Sequence, residues 1–177
     1  LATTAAHALP PTRPRGEFSL DAWTTRDGLP HNLIHAIAQT PDGYLWFGTW
    51  EGLVRFNGRE FKVFDRSSVP ELRDNGVRAI LVGRDGALWL GTSRGGLVRY
   101  DGHEWRTYGR EAGLPTLEIL RLYEDDRGRI WIGSENRGAI VREPDGKVRI
   151  YNRASGLPND TVNAFAQDRA GAIWVGT

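Results

Sequence analysis

One five-residue pattern, an aliphatic residue followed by Trp-x-Gly and then Thr or Ser, occurs four times in this chain of 177 residues. Its copies are Leu45–Thr49, Leu88–Thr92, Ile130–Ser134 and Ile173–Thr177. Successive tryptophans are 43, 42 and 43 residues apart. A near-constant period of roughly 40–45 residues indicates that each repeat is one supersecondary unit, which must stack on its neighbours to bury a core.

Turn signals surround every copy of the pattern. A two-residue turn precedes each one (Asp42-Gly43, Asp85-Gly86, Arg127-Gly128, Ala170-Gly171), and a second turn follows three of them (Asn57-Gly58, Asp101-Gly102, Asp145-Gly146). Asp-Gly between apolar segments favours a tight hairpin, because glycine accepts positive φ and aspartate bonds to the nearby backbone. A closing Gly-Leu-Pro leads into the next copy (28–30, 113–115, 156–158), with Ser68-Val69-Pro70 as a degenerate version. Each repeat is therefore predicted to form four short antiparallel strands, a to d.

The predicted fold class is all-β, with blades of a β-propeller. Four-stranded units on this period are typical of propeller blades, whereas a β-sandwich would not need a constant period. A tryptophan in each strand b supplies about 150–250 Å² of surface for packing between blades. One position of strand a is alanine in three copies and arginine in the third; these residues are Ala36, Ala79, Ala164 and Arg121.

The repeats predict a partial propeller over residues 17–177, about half of a seven-bladed ring. It would contain a strand d over Phe18–Trp23, three full blades and half of a fourth. Residues 1–16 are predicted to be a signal-peptide remnant or a flexible lead-in, since Ala6-His7-Ala8 fits a signal peptidase site. Exposed sheet edges invite pairing, so a homodimer is expected.

The composition excludes several classes of function. Hydrophobic residues make up 40% and charged residues 25%, which is typical of a globular domain. The net charge of +1 gives no reason to expect a nucleic acid partner. The sequence has no cysteine, which excludes disulfides and thiolate metal sites, and no apolar stretch near 18 residues that could cross a membrane.

No catalytic group, metal site or cofactor is predicted. His31 and His35 are four residues apart, which on a strand separates them by about 13 Å, too far to share one metal ion. The sequence contains no HExxH motif, no Gly-x-Ser-x-Gly elbow and no Walker phosphate loop.

The repeated string of Gly-Leu-Pro, Asn-x-(Val/Ile), Asp-Gly-x-(Leu/Ile)-Trp-x-Gly-Thr and Gly-Leu-x-Arg-(Phe/Tyr) resembles the two-component regulator propeller repeat. The match covers residues 18–177 and depends on recurring asparagines and tryptophans: Asn32, Asn75, Asn159, Trp46, Trp89, Trp131 and Trp174. The resemblance implies the periplasmic sensor region of a membrane-anchored protein, such as a hybrid histidine kinase or a diguanylate cyclase. Membrane anchor and output domain would then lie outside this chain.

The leading functional hypothesis is therefore an extracytoplasmic module that senses or binds a small molecule or saccharide without catalysis. One alternative is a propeller enzyme of the streptogramin-lyase type, which would need a His, Glu and metal cluster on the axis. Another is a scaffold for protein–protein interaction.

Propellers usually bind ligands where the d-to-a and b-to-c loops converge, and loops on a rigid scaffold concentrate binding residues. Trp50 is the strongest candidate, because no other copy has an aromatic residue there. The full set of predicted ligand-binding residues is Trp50, His31, Arg94, Arg121, Asn136, Arg137 and Asp160. Residues that recur in several copies are expected to be structural instead: Asn32, Asn75 and Asn159 in Asx turns, and Arg55, Arg99 and Arg142 in the blades.

Overall fold

The computed structural model describes residues 21–177, which form three four-stranded sheets and one two-stranded sheet. The first sheet comprises β1 (Ile34–Gln39), β2 (Leu45–Thr49), β3 (Gly52–Phe56) and β4 (Phe61–Phe64). The second comprises β5 (Val77–Val82), β6 (Leu88–Thr92), β7 (Leu97–Tyr100) and β8 (Trp105–Tyr108). The third comprises β9 (Ile119–Glu124), β10 (Ile130–Ser134), β11 (Ala139–Arg142) and β12 (Val148–Tyr151). The last sheet pairs β13 (Ala164–Gln167) with β14 (Ile173–Gly176).

Strands in each sheet pair antiparallel in chain order, as the turn signals predict. Short 3-10 helices precede each repeat, at Thr25–Asp27, Pro70–Leu72, Arg110–Ala112 and Arg153–Ser155. The first strands of successive sheets pack against one another, which makes them the inner strands of the blades. The prediction of an all-β fold of propeller blades, forming a partial propeller, is confirmed. Within residues 21–177 no helix is long and apolar enough to cross a membrane.

Residues 1–16, predicted to be a signal remnant or lead-in, lie outside the described residues, as do Phe18–Leu20 of the predicted strand d. The described remainder, Asp21–Trp23, forms no strand. Trp23 nevertheless packs on the first blade, with its ring centroid 5.2 Å from Phe56 and 6.3 Å from Phe61. Phe64 lies against Trp105 of the second blade in the same way, at 5.6 Å.

The glycines of the first three Trp-x-Gly patterns are explained by the contact between blades. A Cβ atom on Gly48 would lie 2.7 Å from the carbonyl oxygen of Val77, and one on Gly133 would lie 2.5 Å from that of Val162. Both contacts join strand b of one blade to strand a, or its entry, in the next. Only a residue without a side chain allows the blades to approach this closely.

Three of the four tryptophans of this pattern anchor their indole N–H groups at a position six residues upstream. Trp46 Nε1 donates to Thr40 Oγ1 at 2.9 Å, Trp131 Nε1 to Asp125 Oδ2 at 2.7 Å, and Trp174 Nε1 to Asp168 Oδ2 at 3.0 Å. The three tryptophans of the complete blades are buried (Trp46, Trp89, Trp131), and each belongs to an apolar cluster that spans two blades.

The recurring arginines stack on these aromatic layers, as expected for structural residues. The Arg55 guanidinium lies 4.3 Å from the ring centre of Tyr44, and that of Arg142 lies 4.6 Å from Tyr108 and 5.6 Å from Trp89. Arg99 lies 5.8 Å from the Trp89 ring centre, and its Nη2 pairs with Asp85 at 2.8 Å. Such contacts are favourable because the ring face is electron-rich.

Candidate ligand-binding face

Each complete blade has a β-bulge near the start of its inner strand. The register shifts between Ile34 and Ala36 in β1, and the same shift occurs in β5 and β9. The residues left without a cross-strand partner are His35, Arg78 and Leu120. A bulge redirects the side chain at its extra residue. Because these bulges lie opposite the end of strand b, they place unrepeated side chains beside the b-to-c loops.

The b-to-c loops are held by the hydroxyl that ends each Trp-x-Gly pattern. Thr49 Oγ1 donates to the carbonyl oxygen of Gly52 at 2.8 Å, and Ser134 Oγ donates to that of Gly138 at 2.8 Å. Thr92 makes the equivalent bond to Gly96 at 2.9 Å. All three hydroxyl-bearing residues are buried, so the loops start from a fixed framework.

Four side chains from three blades meet above the inner strands, in what we name the three-blade cluster: His35, Trp50, Arg78 and Glu135. The rings of His35 and Trp50 pack edge to face with centroids 4.6 Å apart. The Arg78 guanidinium lies 5.8 Å from the Trp50 ring centre, and Arg78 Nη1 bonds Glu135 Oε2 at 3.2 Å. The Glu135 carbonyl oxygen accepts a hydrogen bond from Thr161 Oγ1 at 2.6 Å, which ties its loop to the following blade.

The surroundings of His35 in this cluster lower its pKa. Burial lowers its pKa, and the positive charge of Arg78 lowers it further, followed by smaller effects of His31 and Arg121. The Nε2 atom of His35 is inaccessible and has no hydrogen-bond partner among residues 21–177. The His35 ring therefore packs against Trp50, and Trp50 remains 38% exposed.

The cluster combines a partly exposed indole, a guanidinium and a carboxylate. An aromatic face can stack on a sugar ring, and the charged groups can bond hydroxyl, amine or carboxylate groups. Trp50 also packs on the next blade, because a Cβ atom on Gly76 would lie 3.0 Å from its Cε3 atom. Trp50 thus covers part of the neighbouring blade, while 38% of its own surface stays exposed to solvent.

His31 and Arg121 lie near the cluster but bond locally. Nδ1 of His31 accepts a hydrogen bond from the Leu33 N–H at 3.0 Å. Arg121 occupies the inner-strand position that is alanine in other blades, opposite Gly133, and its Nη1 donates to the Leu120 carbonyl oxygen at 2.8 Å.

Three other predicted residues, Arg94, Asn136 and Arg137, line one cleft between the second and third blades. Its volume is about 250 Å³, and Arg110 and Glu118 also line it. Nδ2 of Asn136 donates to Oε2 of Glu118 at 3.4 Å. We name this site the arginine cleft, defined by these five residues.

Asp160, predicted to bind a ligand, makes a hydrogen bond across its own loop that has counterparts in two other repeats. Oδ1 of Asp160 accepts the Arg153 N–H at 2.7 Å, across a loop of seven residues. Asn32 bonds Thr25 N at 2.8 Å and Asn75 bonds Arg66 N at 3.0 Å in the same manner.

The equivalence of Asn159 with Asn32 and Asn75 was therefore wrong by one position. Asn159 forms the predicted Asx turn, accepting the Thr161 N–H at 3.1 Å. The Asx turns predicted for Asn32 and Asn75 are wrong, because their Oδ1 atoms accept from residues seven and nine positions earlier. Counting from the proline of Gly-Leu-Pro reveals the error, because Asn32 and Asp160 are both the second residue after it.

Sequence reasoning missed His35, Arg78, Glu135, Arg110 and Glu118. A signal for the first two was present, since His35 and Arg78 occupy the same place in their repeats and differ from each other. Within the described part of the chain, no group of three His, Asp or Glu side chains is arranged to hold a metal ion.

Fold and site together define a β-propeller assembled from near-identical blades, with unrepeated polar and aromatic side chains on one loop face. The family model of the two-component regulator propeller matches residues 28–51, 71–94, 113–136 and 156–177. These segments make up more than half of the sequence, so the chain belongs to the two-component regulator propeller family.

Solved structures show where the same fold occurs. The extracellular domain of the hybrid two-component system BT3049 from B. thetaiotaomicron superposes with a TM-score of 0.78 at 24% identity, over 89% of this chain and 22% of that one. The corresponding domain of BT4673 from B. thetaiotaomicron gives 0.71 at 23% identity, over 84% and 22%. Virginiamycin B lyase from Staphylococcus aureus, as an inactive variant, gives 0.65 at 16% identity, over 83% and 50%. A comparison with curated proteins finds no match.

Proposed function

We propose that this chain belongs to the extracytoplasmic ligand-sensing region of a membrane-anchored signal-transduction protein and that it binds its ligand without catalysis. Membership of the two-component regulator propeller family supports this role. The likeness in fold to extracellular domains of two hybrid two-component systems supports the location. The chain spans 22% of each of those domains. That a membrane anchor and an output domain accompany it in the whole protein is part of the proposal.

The observation that carries the proposal is the three-blade cluster. Its residues are unrepeated, whereas the framework beneath them repeats in every blade, as in the Thr49, Thr92 and Ser134 hydroxyl bonds. A ligand bound there would touch three blades at once. Since ligand binding favours whichever arrangement of the blades it contacts best, such a site can transmit occupancy through the propeller.

The ligand class that fits best is a small molecule or saccharide. Trp50 offers a partly exposed ring for stacking, while the Arg78 and Glu135 side chains are paired to each other at 3.2 Å. A ligand hydroxyl can insert beside such a pair, accepting from the guanidinium and donating to the carboxylate.

A binding screen with matched variants tests the proposal. Calorimetric titration of the 177-residue protein with saccharides and amino acids should yield at least one ligand whose affinity falls about tenfold or more in Trp50→Ala and in Arg78→Gln. Arg106→Gln is the matched control, because Arg106 also pairs with a glutamate, Glu104, at 2.8 Å on an outer strand. Equal losses in Arg78→Gln and Arg106→Gln would overturn the assignment of the site.

The alternatives predict different outcomes of the same screen. Turnover of a streptogramin antibiotic that stops on addition of a chelator would favour a lyase and would contradict the proposal. The homodimer and the absence of a nucleic acid partner remain predictions. Light scattering on the eluted protein tests the first, and a titration with duplex DNA tests the second.

A further inference from the structure

We propose that the arginine cleft selects an anionic ligand, a small molecule carrying a carboxylate, phosphate or sulfate group. This inference rests on the proposed function and adds the charge that the ligand must carry. The site lies on the same loop face as the three-blade cluster, because Arg94 follows Ser93 and Asn136 follows Glu135 in the b-to-c loops.

The lining of the arginine cleft carries an excess of positive charge. Three arginines, Arg94, Arg110 and Arg137, line the cleft together with one acidic residue, Glu118, which leaves two formal positive charges in excess. Concave sites lined by one sign of charge concentrate ligands of the opposite sign. Arginine also matches planar carboxylate and tetrahedral phosphate or sulfate oxygens with two parallel hydrogen bonds.

The guanidinium groups of these three arginines are available to a ligand. Within residues 21–177, no carboxylate lies within ion-pairing distance of Arg94, Arg110 or Arg137, although other surface arginines are paired. Arg110 makes one long bond, from Nη1 to the Pro115 carbonyl oxygen at 3.4 Å. Glu118 is engaged by Asn136, at 3.4 Å.

Hydrogen bonds already fix the backbone that carries Arg94 and Arg137. The Arg94 N–H donates to Oδ2 of Asp74 at 2.7 Å, and the Arg137 N–H donates to Oγ of Ser134 at 2.9 Å. The Asp74 carboxylate makes this bond without lining the cleft. The Gly96 N–H bonds the Leu117 carbonyl oxygen at 3.2 Å, which joins the two walls. Preorganised loops reduce the entropy that binding costs.

The residues of this cleft are not repeated in the neighbouring loops of the same face. Leu117 occupies the position that is Asp160 in the next loop, so the acidic side chain found there is missing here. Arg137 occupies the position of Gly95 in the preceding b-to-c loop, and the first b-to-c loop carries Glu51 instead of an arginine. A volume of about 250 Å³ is below the roughly 300–1,000 Å³ of sites for drug-sized ligands, so one charged group or a single ring fits.

The test uses the 177-residue protein and three probes at equal concentrations: D-glucuronate, D-glucose and inorganic phosphate. Chemical-shift titrations of the backbone amides should show glucuronate binding at residues 94, 117 and 137 at least about tenfold more tightly than glucose. The double variant Arg94→Gln/Arg137→Gln should lose that preference. Arg153→Gln is the matched control, since Arg153 is the counterpart of Arg110 in the next loop and lies outside the cleft.

Phosphate binding at the same amides would support recognition of a bare anionic group, and a preference for glucuronate over phosphate would support an acidic sugar. Equal shifts with glucose and glucuronate, or an unchanged preference in the double variant, would overturn the inference. Glucose bound at Trp50 and lost only in Trp50→Ala, with no anion bound at residues 94, 117 and 137, would overturn it while leaving the proposed function standing. If neither anion shifts these amides, the inference fails as well.

Discussion

Trp131 donates its indole N–H to the Asp125 carboxylate, and the Nε1–Oδ2 distance is 2.7 Å. Asp125 is fully buried and also accepts bonds from Arg129 Nε at 2.5 Å and from the Arg127 backbone at 2.9 Å. A turn carboxylate thus fixes the ring that fills the gap to the next blade. Thr40 takes this role for Trp46, whereas Gly83 occupies the corresponding position in the blade of Trp89.

Replacing Asp125 with alanine should lower the free energy of unfolding by about 3 kcal/mol, because the buried N–H groups of Trp131 and Arg129 would lose their acceptor. Urea denaturation followed by tryptophan fluorescence measures the change. Asp168→Ala is the matched control, since Asp168 makes the same bond to Trp174, which is 66% exposed, and water can replace it. Equal losses in the two variants would contradict the role given to burial.

Stability should fall on acidification, and Asp125 should account for part of the fall. Burial opposes ionisation of Asp125, but hydrogen bonds from Trp131 and Arg129 outweigh it and hold the pKa below its ordinary value. A carboxyl with a depressed folded-state pKa stabilises the fold above its unfolded pKa of about 3.9 and loses that contribution as the pH falls through the folded value.

Asp125→Asn should therefore be less stable than the parent at neutral pH, and the difference should shrink below about pH 4. Denaturation curves recorded across this range provide the measurement. Other carboxyls shift in the same direction; hydrogen bonds from Ser67 and Ser68 lower the pKa of Asp65 to about 2. The difference in free energy of unfolding between the parent and Asp125→Asn isolates the contribution of Asp125. A difference that stays constant at all pH values would refute a pH-dependent contribution of Asp125.

Gly133→Ala should destabilise the protein by about 1–3 kcal/mol, because the new methyl group would press on the Val162 carbonyl oxygen and force the blades apart. Gly176→Ala in the last copy should cost much less, since the nearest atom there is the Ala164 side chain at 3.2 Å. Thermal unfolding of both variants tests the pair. A Gly133 variant as stable as the Gly176 variant would mean that the spacing between blades adapts.

Arg78→Gln should raise the pKa of His35 towards its ordinary value. The Arg78 charge is the second largest influence on that pKa, after burial, and its removal makes the imidazolium less unfavourable. An NMR titration of the imidazole resonances provides the measurement, with Arg106→Gln as control. An unchanged His35 midpoint in Arg78→Gln would place the guanidinium farther from the ring than the structure does.

The blades were predictable because the same Trp-x-Gly pattern occurs four times at a near-constant spacing. Each Trp-x-Gly pattern needs a large ring between blades and no side chain at the closest approach, so strand order and turns follow from the repeat. Trp50, Arg94 and Asn136 could be chosen as candidates because they break it.

The partners of those residues could not be predicted in the same way. His35 and Arg78 reach Trp50 only because a bulge redirects them, and Glu135 reaches Arg78 from another blade. Both effects depend on three-dimensional register. The one-position error at Asn159 arose because a short Asx turn and a loop-crossing bond use the same residue types.

The most direct test of the sensor role is to map where a bound ligand perturbs the backbone amides of the 177-residue protein by NMR, using a hit from the saccharide and organic-acid screen. We predict that shifts concentrate in residues 49–52, 92–96 and 134–138 and spare the turns at 41–43, 84–86 and 126–128. Shifts confined to those turns, or catalytic consumption of the ligand, would contradict the sensor role.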